Sequence, residues 1–141
     1  MRRAFLALAG ACLLATRTPV HPLVPPPDPP ESLLAAQQWL ALLDAGRLAQ
    51  AWDAAAPAFQ AEQDRTAWLV RMRRERAPLG ALRSRRLDHS RFGTALEGAP
   101  DAQYVAYAFS AAFDRRPLAV ETLATLKLPD GSWRVRRYAI R

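Results

Sequence analysis

The chain has 141 residues and a formal net charge of +7, and half of its residues are apolar. This length fits one domain once a targeting segment is removed, and the composition excludes a fibrous or wholly disordered chain. Nineteen of the twenty basic residues are arginines, Lys127 being the exception. A modest positive charge attracts polyanions only weakly, so we interpret it first as a composition bias and second as a polyanion-binding surface.

The N-terminus is typical of a cleavable signal peptide. Arg2 and Arg3 precede an apolar run over residues 4–15, which is too short to span a bilayer and fits the core of a secretion signal. We expect residues 1–15 to be the signal peptide and the protein to be periplasmic or secreted. Two alternatives remain open. Residues 9–12 resemble a lipobox, which would anchor the protein by a lipid on Cys12, and the two arginines resemble a twin-arginine signal.

Residues 16–30 are expected to form a proline-rich spacer. Seven of the twelve residues from Pro19 to Pro30 are prolines. Proline fixes φ and lacks an amide donor, so this stretch is predicted to be extended rather than packed. The folded domain is therefore expected over residues 31–141.

Three helices are expected at the start of this domain. Asp28 before two prolines is typical of a helix start, and Gly46 is typical of a helix end. The apolar residues of this first helix recur at helical spacing, at Leu33, Ala36, Leu40 and Leu43. A second short helix ends before Pro57, with Phe59 in the turn beyond it, and a third begins near Asp64.

Four strands follow, over residues 81–92, 103–115, 118–128 and 133–141. The residues that share one side of the second strand are Val105, Tyr107, Phe109, Ala111 and Phe113. The alternating run of the third is Leu118, Val120, Thr122, Ala124, Leu126 and Leu128. Helices followed by a strand meander predict an α+β fold, with three N-terminal helices packed on a curved four-stranded antiparallel sheet.

Short motifs follow one another along residues 33–141. They are Trp39 to Gly46, Trp52 to Ala55, Trp68, Arg76 to Gly80, Arg85-Arg86, Gly98 to Asp101, Tyr104-Val105, Glu121-Thr122, Asp130 to Val135, Tyr138 and Ile140-Arg141. Their order and spacing resemble the bacterial domain-of-unknown-function family 4019. The resemblance implies an exported α+β domain of the cystatin-like or nuclear-transport-factor-like kind, with no catalytic residue to carry over. Arg136-Arg137 departs from the smaller residues of the family pattern.

The candidate cavity or ligand residues are Asp53, Trp52, His89, Tyr104 and Tyr107. Asp53 is either a cavity carboxylate or the partner of a nearby arginine, whereas Asp44 is interpreted as structural. His89 is a candidate because histidine is the side-chain type whose ordinary pKa lies nearest neutrality, but neighbouring residues of a regular strand point to opposite faces. His89 and Asp88 are therefore not expected to share a cavity, and a solvated histidine is the alternative. Most aromatic residues are expected in the core, and a minority could line an apolar pocket.

Three functions remain open. The first is an accessory domain that binds an envelope partner protein or a small ligand without catalysis. The second is a cone-type isomerase or hydrolase that uses Asp53 or His89. The third is an envelope polyanion binder that uses the arginines of the strands. No cofactor or metal is expected, since a single histidine remains in the domain. Export argues against nucleic acid, and membrane contact is expected only if Cys12 carries a lipid.

Overall fold

The computed structural model describes residues 28–141, so the predicted signal peptide, Cys12 and most of the spacer lie outside the described residues. The helices are α1 (Pro30–Asp44), α2 (Leu48–Ala54), α3 (Pro57–Ala61) and α4 (Arg65–Arg76). The strands are β1 (Leu82–Gly93), β2 (Tyr104–Phe113), β3 (Arg116–Lys127) and β4 (Trp133–Ile140). A 3₁₀ turn, Ala77–Leu79, joins the two groups. The predicted α+β order is confirmed.

The strands form one antiparallel sheet in the order β1-β2-β3-β4. Helices α1 and α3 pack on one side of it, which we call the inner face; the opposite side is the outer face. Each neighbouring pair of strands contains an irregularity in register. Such bulges bend and twist a strand, which helps a four-stranded sheet to curve around helices.

The ends of the helices follow local chemistry. Gly46 adopts φ +69°, and the amides of Gly46 and Arg47 bond the carbonyls of Leu43 and Leu42, as expected for a helix that ends on a left-handed residue. Asp64 caps α4, since its carboxylate accepts a hydrogen bond from the Ala67 amide at 2.8 Å.

Two expectations about helix boundaries are wrong. Asp28 does not cap α1, because the helix starts after Pro29 and the Asp28 carboxylate contacts the Ser90 hydroxyl instead. The segment after Pro57 is the short helix α3 rather than a turn, giving four helices instead of three. Proline at the first helical position has its φ already set for a helix, which accounts for this start.

An aromatic cluster fills the space between the helices and the inner face. Its members are Trp39, Trp52, Phe59, Trp68 and Tyr138, with ring centroids 5.2–6.2 Å apart. The tilted and edge-to-face arrangements are those that aromatic quadrupoles favour. The indole N–H of Trp39 donates to the Ala51 carbonyl at 2.7 Å, so its polar atom is satisfied inside the core.

The alternation predicted for β2 is confirmed, since its apolar run faces the helices and is buried. The alternating run predicted for the third strand is divided: Leu118 is 70% exposed and Val120 is 41% exposed, whereas Leu126 and Leu128 pack against the core. The inner face of β3 carries the residues of opposite phase, Ala119, Glu121, Leu123 and Thr125. Glu121 lies on this buried face because its hydrogen-bonding partners come from other parts of the chain, which the sequence of the strand does not show.

Candidate functional site

The structure separates the predicted site residues. Trp52 is buried in the aromatic cluster, against Phe59 and Trp68. Asp53 is exposed on α2 and lies 3.8 Å from the guanidinium of Arg65, which is the arginine pairing that the sequence left open. His89 is on the outer face of β1, on the opposite side of the sheet from the helices. Asp53 and His89 therefore do not face a common cavity.

The two tyrosines are held by internal hydrogen bonds. The hydroxyl of Tyr107 lies 2.7 Å from the Ser32 hydroxyl, which lies 2.6 Å from that of Thr125. Burial raises the pKa of Tyr107, so its phenol stays protonated at neutral pH. The Tyr104 hydroxyl donates to the Pro100 carbonyl at 2.5 Å and fixes the loop that precedes β2.

Asp88 and His89 lie on the same face of the sheet, contrary to the expectation for a regular strand. The register of β1 shifts between Leu87 and His89, which leaves Asp88 as an extra, bulged residue. Its carboxylate accepts hydrogen bonds from the outward-facing Ser110 hydroxyl at 2.5 Å and from Arg86 at 2.9 Å. The Ser110 bond and the Arg86 charge lower the pKa of Asp88. This carboxylate is therefore paired rather than free to act as a base.

A groove of about 290 Å³ lies on the outer face, and we call it the outer groove. One row across the sheet runs Arg91, Ala106, Ala124 and Arg137, and the adjacent row includes His89, Ala108 and Thr122. The small residues of β2 and β3 form the floor, and Leu96 from the loop before β2 completes the lining. Three strand spacings separate Arg91 from Arg137, which puts their Cα atoms about 14 Å apart.

The outer groove is apolar at its floor and cationic at its rim. None of the residues that line it is acidic, while Arg91 and Arg137 are both basic. Neither arginine forms an ion pair with a carboxylate of residues 28–141. Arg137 donates one hydrogen bond, to the Glu97 carbonyl at 2.8 Å. The groove thus matches an anionic group joined to an apolar body.

A network of charges lies on the inner side, and we call it the inner ion network. Glu121 is completely buried and accepts hydrogen bonds from Arg76 at 2.9 Å, Arg85 at 2.6 Å and the Tyr138 hydroxyl at 2.7 Å. Asp44 accepts from Arg76 at 2.6 Å and from Arg85 at 2.6 and 2.9 Å. Two arginines and two carboxylates balance in charge, which makes their burial tolerable.

Two members of the inner ion network, Tyr138 and Arg85, have raised pKa values. Burial, reinforced by the charge of Glu121, raises the pKa of Tyr138 well above its ordinary value. Burial opposes the charged form of Arg85, but the hydrogen bonds to Asp44 and Glu121 outweigh it and raise the pKa of Arg85. Tyr138 and Arg85 therefore keep their protons across the neutral range.

A cleft of about 270 Å³ opens beside the network, lined by Asp44, Arg73 and Arg76 and by apolar residues that include Met72 and Phe113. The guanidinium of Arg76 lies 5.4 Å from the Phe113 ring centroid, a cation–π contact. Because Asp44 and Arg76 are already paired, the cleft offers a ligand less unbalanced charge than the outer groove does.

A bulge in β4 directs Arg136 and its neighbour Arg137 to different sides of the sheet. The register of β4 shifts between Val135 and Arg137, so Arg136 is the extra residue; it is buried and paired with Glu62. The hydrogen bond from Arg136 lowers the pKa of Glu62. The bulge turns one arginine into the interior and leaves the next on the outer face. The two neighbouring arginines therefore have different surroundings.

The sequence alone did not predict which residues form the inner ion network or that Arg91 and Arg137 border one groove. The inner ion network draws on residues from α1, α4, β1, β3 and β4, and each of its five members lies in a motif that carries the family resemblance. That shared membership was the signal available. Arg91 and Arg137 were counted among the cationic strand residues, but their common row appears only when the register is known.

Two classes of feature are not found among the residues that the structure describes. No group of three or more His, Cys, Asp or Glu side chains in residues 28–141 is placed to hold a metal ion. No helix in this range is long and apolar enough to cross a membrane.

The fold and the network together define a small α+β protein, with four helices ahead of a four-stranded antiparallel meander and a buried ion network between them. Residues 35–138 match the family described as protein of unknown function (DUF4019), and the chain belongs to this family. No curated protein and no solved structure matches the chain significantly.

Proposed function

We propose that this chain is an exported accessory domain that binds, without catalysis, a small amphipathic anion in the outer groove. The ligand class is a carboxylate or similar anion joined to an apolar body. The observation that carries the proposal is the outer groove itself: an alanine floor between two arginines that have no carboxylate partner in residues 28–141. A partner protein could present the same chemistry as an acidic, apolar segment.

The position of the two arginines supports this assignment. Arg91 and Arg137 stand at opposite ends of one row, so an anion over the alanines can accept hydrogen bonds from either side. Hydrogen bonds to charged groups contribute about 1.5–3 kcal/mol each. Ala106, Ala108 and Ala124 leave room for an apolar body to lie against the sheet. His89 and Thr122 add polar groups at the next row.

The catalytic alternative has less support. Asp53 and His89 are on opposite sides of the sheet, and the Tyr107 hydroxyl points to the inner face, away from His89. A general acid–base pair needs both groups within hydrogen-bond reach of one reacting atom. The alternative of a general polyanion surface shares Arg91 and Arg137 with our proposal, and salt dependence separates the two.

Binding of decanoate to the purified protein tests the proposal by titration calorimetry. We expect measurable binding to the wild-type protein and at least a tenfold loss in R91Q/R137Q, about 1.4 kcal/mol or more. The matched control is R115Q/R116Q, which removes two exposed arginines at the far end of the β2–β3 hairpin and should bind as the wild type does.

Two further arms define the ligand. Decyltrimethylammonium should not bind, because it carries the same chain with the opposite charge. Inorganic phosphate should not compete at equal concentration, because it lacks the apolar body. Equal affinity for decanoate and for phosphate, lost at high salt, would favour the polyanion surface instead. Indifference of decanoate binding to R91Q/R137Q would contradict the proposal.

Export is the second part of the proposal, and it rests on the basic start and the short apolar run before residue 16. Fractionation of the native host, followed by mass spectrometry of the intact protein, tests it. We expect a periplasmic or secreted chain that begins near residue 16. A chain that begins at Cys12 with a mass gain of acyl groups would establish the lipid-anchored form, and a full-length cytosolic chain would refute export.

A further inference from the structure

An exposed apolar strip lies on the outer face, one row beyond the outer groove. The outward-facing residues of β2 and β3 that line the groove form two rows, Ala106 with Ala124 and Ala108 with Thr122. The next row pairs Ser110 with Val120. Val120 is 41% exposed, and Leu118, which precedes it on β3, is 70% exposed. We call Val120 and Leu118 the apolar strip, and it continues the floor of the groove toward the β2–β3 hairpin.

The two arginines of the outer groove mark its opposite end. Arg91 and Arg137 share one row, and the loop between β1 and β2 lies at this end of the sheet, since Leu96 lines the groove there and the Glu97 carbonyl accepts a hydrogen bond from Arg137 at 2.8 Å. An anion held between the two arginines therefore lies at the loop end. The rest of the groove extends from the anion toward Val120.

Charged side chains flank the apolar strip on both sides. Asp88 reaches the row of Val120 through the hydroxyl of Ser110 at 2.5 Å, but its charge is balanced by Arg86 at 2.9 Å. On the side of β4, Val120 and Arg141 exchange two backbone hydrogen bonds of 2.9 Å. Arginines thus border the strip as they border the groove, and the apolar surface between β2 and β3 runs between them.

We infer that the ligand of the outer groove is a long-chain carboxylate whose chain runs along β2 and β3, and that Val120 gives the protein its preference for long chains. The inference rests on the proposed function, in which Arg91 and Arg137 hold the anion. Val120 is four residues from Ala124 along β3, so at about 3.3 Å per residue it lies about 13 Å from the row that holds the anion. A saturated chain advances about 1.25 Å per bond, so octanoate extends about 9 Å and tetradecanoate about 16 Å. Octanoate therefore ends before Val120, whereas tetradecanoate covers it.

The test compares V120T with the wild-type protein by titration calorimetry of octanoate, decanoate, dodecanoate and tetradecanoate, each below its micelle concentration. Threonine is β-branched like valine and suits a strand, but it replaces one methyl group by a hydroxyl. We expect the affinity for octanoate to be unchanged. The affinity for tetradecanoate should fall about fourfold, the contribution of about one buried apolar carbon.

A matched control makes the same substitution elsewhere. Val70 is 56% exposed on α4 and does not line the outer groove, so V70T should leave all four affinities unchanged. A melting temperature for each variant shows that the fold is retained.

A nitroxide near the methyl end of tetradecanoate locates the chain in the wild-type protein, without any substitution. We expect it to broaden the backbone amide signal of Val120 more than that of Glu97, because the methyl end lies away from the loop. This measurement also tests the inference if V120T does not fold. Stronger broadening at Glu97 would place the chain over the loop and would overturn the inference.

The outcomes separate the two proposals. If the wild-type protein binds none of the four carboxylates, the proposed function fails and the inference fails with it. If the wild-type protein binds them, but V120T weakens octanoate and tetradecanoate equally or weakens neither, the inference is overturned while the proposed function stands. A loss of tetradecanoate affinity in V70T as large as that in V120T would also overturn the inference.

Discussion

The Glu121 carboxylate is accommodated in the core because neighbouring side chains donate the hydrogen bonds that water would otherwise donate to it. Arg76, Arg85 and the Tyr138 hydroxyl donate to its two oxygens, and none of its surface is exposed. Asp44 then shares both arginines with it. Removal of one member of such a group leaves buried charge without compensation, which costs far more than the intact group contributes.

E121Q should therefore destabilise the protein by about 3 kcal/mol, because two buried guanidinium groups would share a single remaining carboxylate. Urea unfolding followed by circular dichroism measures the change in the free energy of unfolding. D53N is the control: Asp53 is exposed and 3.8 Å from Arg65, so it should change stability by less than about 0.5 kcal/mol. A loss below about 1 kcal/mol in E121Q would mean that Asp44 compensates both arginines by itself.

The junctions between elements depend on two glycines with positive φ. Gly46 ends α1 at φ +69°, and no atom from elsewhere in the fold lies within 4 Å of the place where a Cβ would stand. Gly80 joins the 3₁₀ turn to β1 at φ +77°, and a Cβ there would lie 2.8 Å from the Cβ of Asp114. The first position demands only a backbone conformation, whereas the second also demands space.

G46A should cost about 1 kcal/mol, the strain of a left-handed alanine. G80A should cost at least twice as much, about 2–3 kcal/mol, because it adds a clash with Asp114 at the β2–β3 hairpin to the same kind of strain. Equilibrium unfolding of the two variants in parallel measures the difference. Equal losses would show that the hairpin moves aside without cost, contrary to the tight approach between Gly80 and Asp114.

At the scale of the whole molecule, buried tyrosines couple stability to alkaline pH. Burial raises the pKa of both Tyr107 and Tyr138, and each hydroxyl is part of an internal hydrogen-bond group that joins α1 or α4 to the sheet. An unfolded tyrosine has a pKa of about 10. Below that value both states keep the proton; above it, the unfolded state loses the proton first and is favoured.

The free energy of unfolding should therefore be insensitive to these tyrosines up to about pH 9 and should fall as pH rises above about 10. Urea unfolding at about pH 8 and about pH 11 measures the decline. Y138F should be less stable at pH 8, because Glu121 loses a hydrogen bond, and should show a shallower decline, because one titrating group is gone. A decline as steep in Y138F as in the wild type would contradict the role of Tyr138.

Local sequence was enough to predict the order of elements, the buried side of β2, the cap at Gly46 and the start of a helix near Asp64. Each of these depends on residues within a few positions of one another: a period of two, a glycine after a helix, or a carboxylate before one. The order of helices before a strand meander predicted the α+β fold, and the family resemblance implied the same fold. The short helix α3 and the start of α1 were missed because prolines at neighbouring positions allow more than one start.

Tertiary structure decided which face of β3 is buried, which arginines are internal and where the outer groove lies. Arg76 meets Glu121 across 45 positions of sequence, and Arg85 meets Asp44 across 41. The bulges at Asp88 and Arg136 change which face each later residue occupies. The alternation of apolar and polar residues in a sequence indicates only which side chains avoid water and which do not. Whether a charge is buried depends on an opposite charge brought to it by the fold, and no local pattern contains that information.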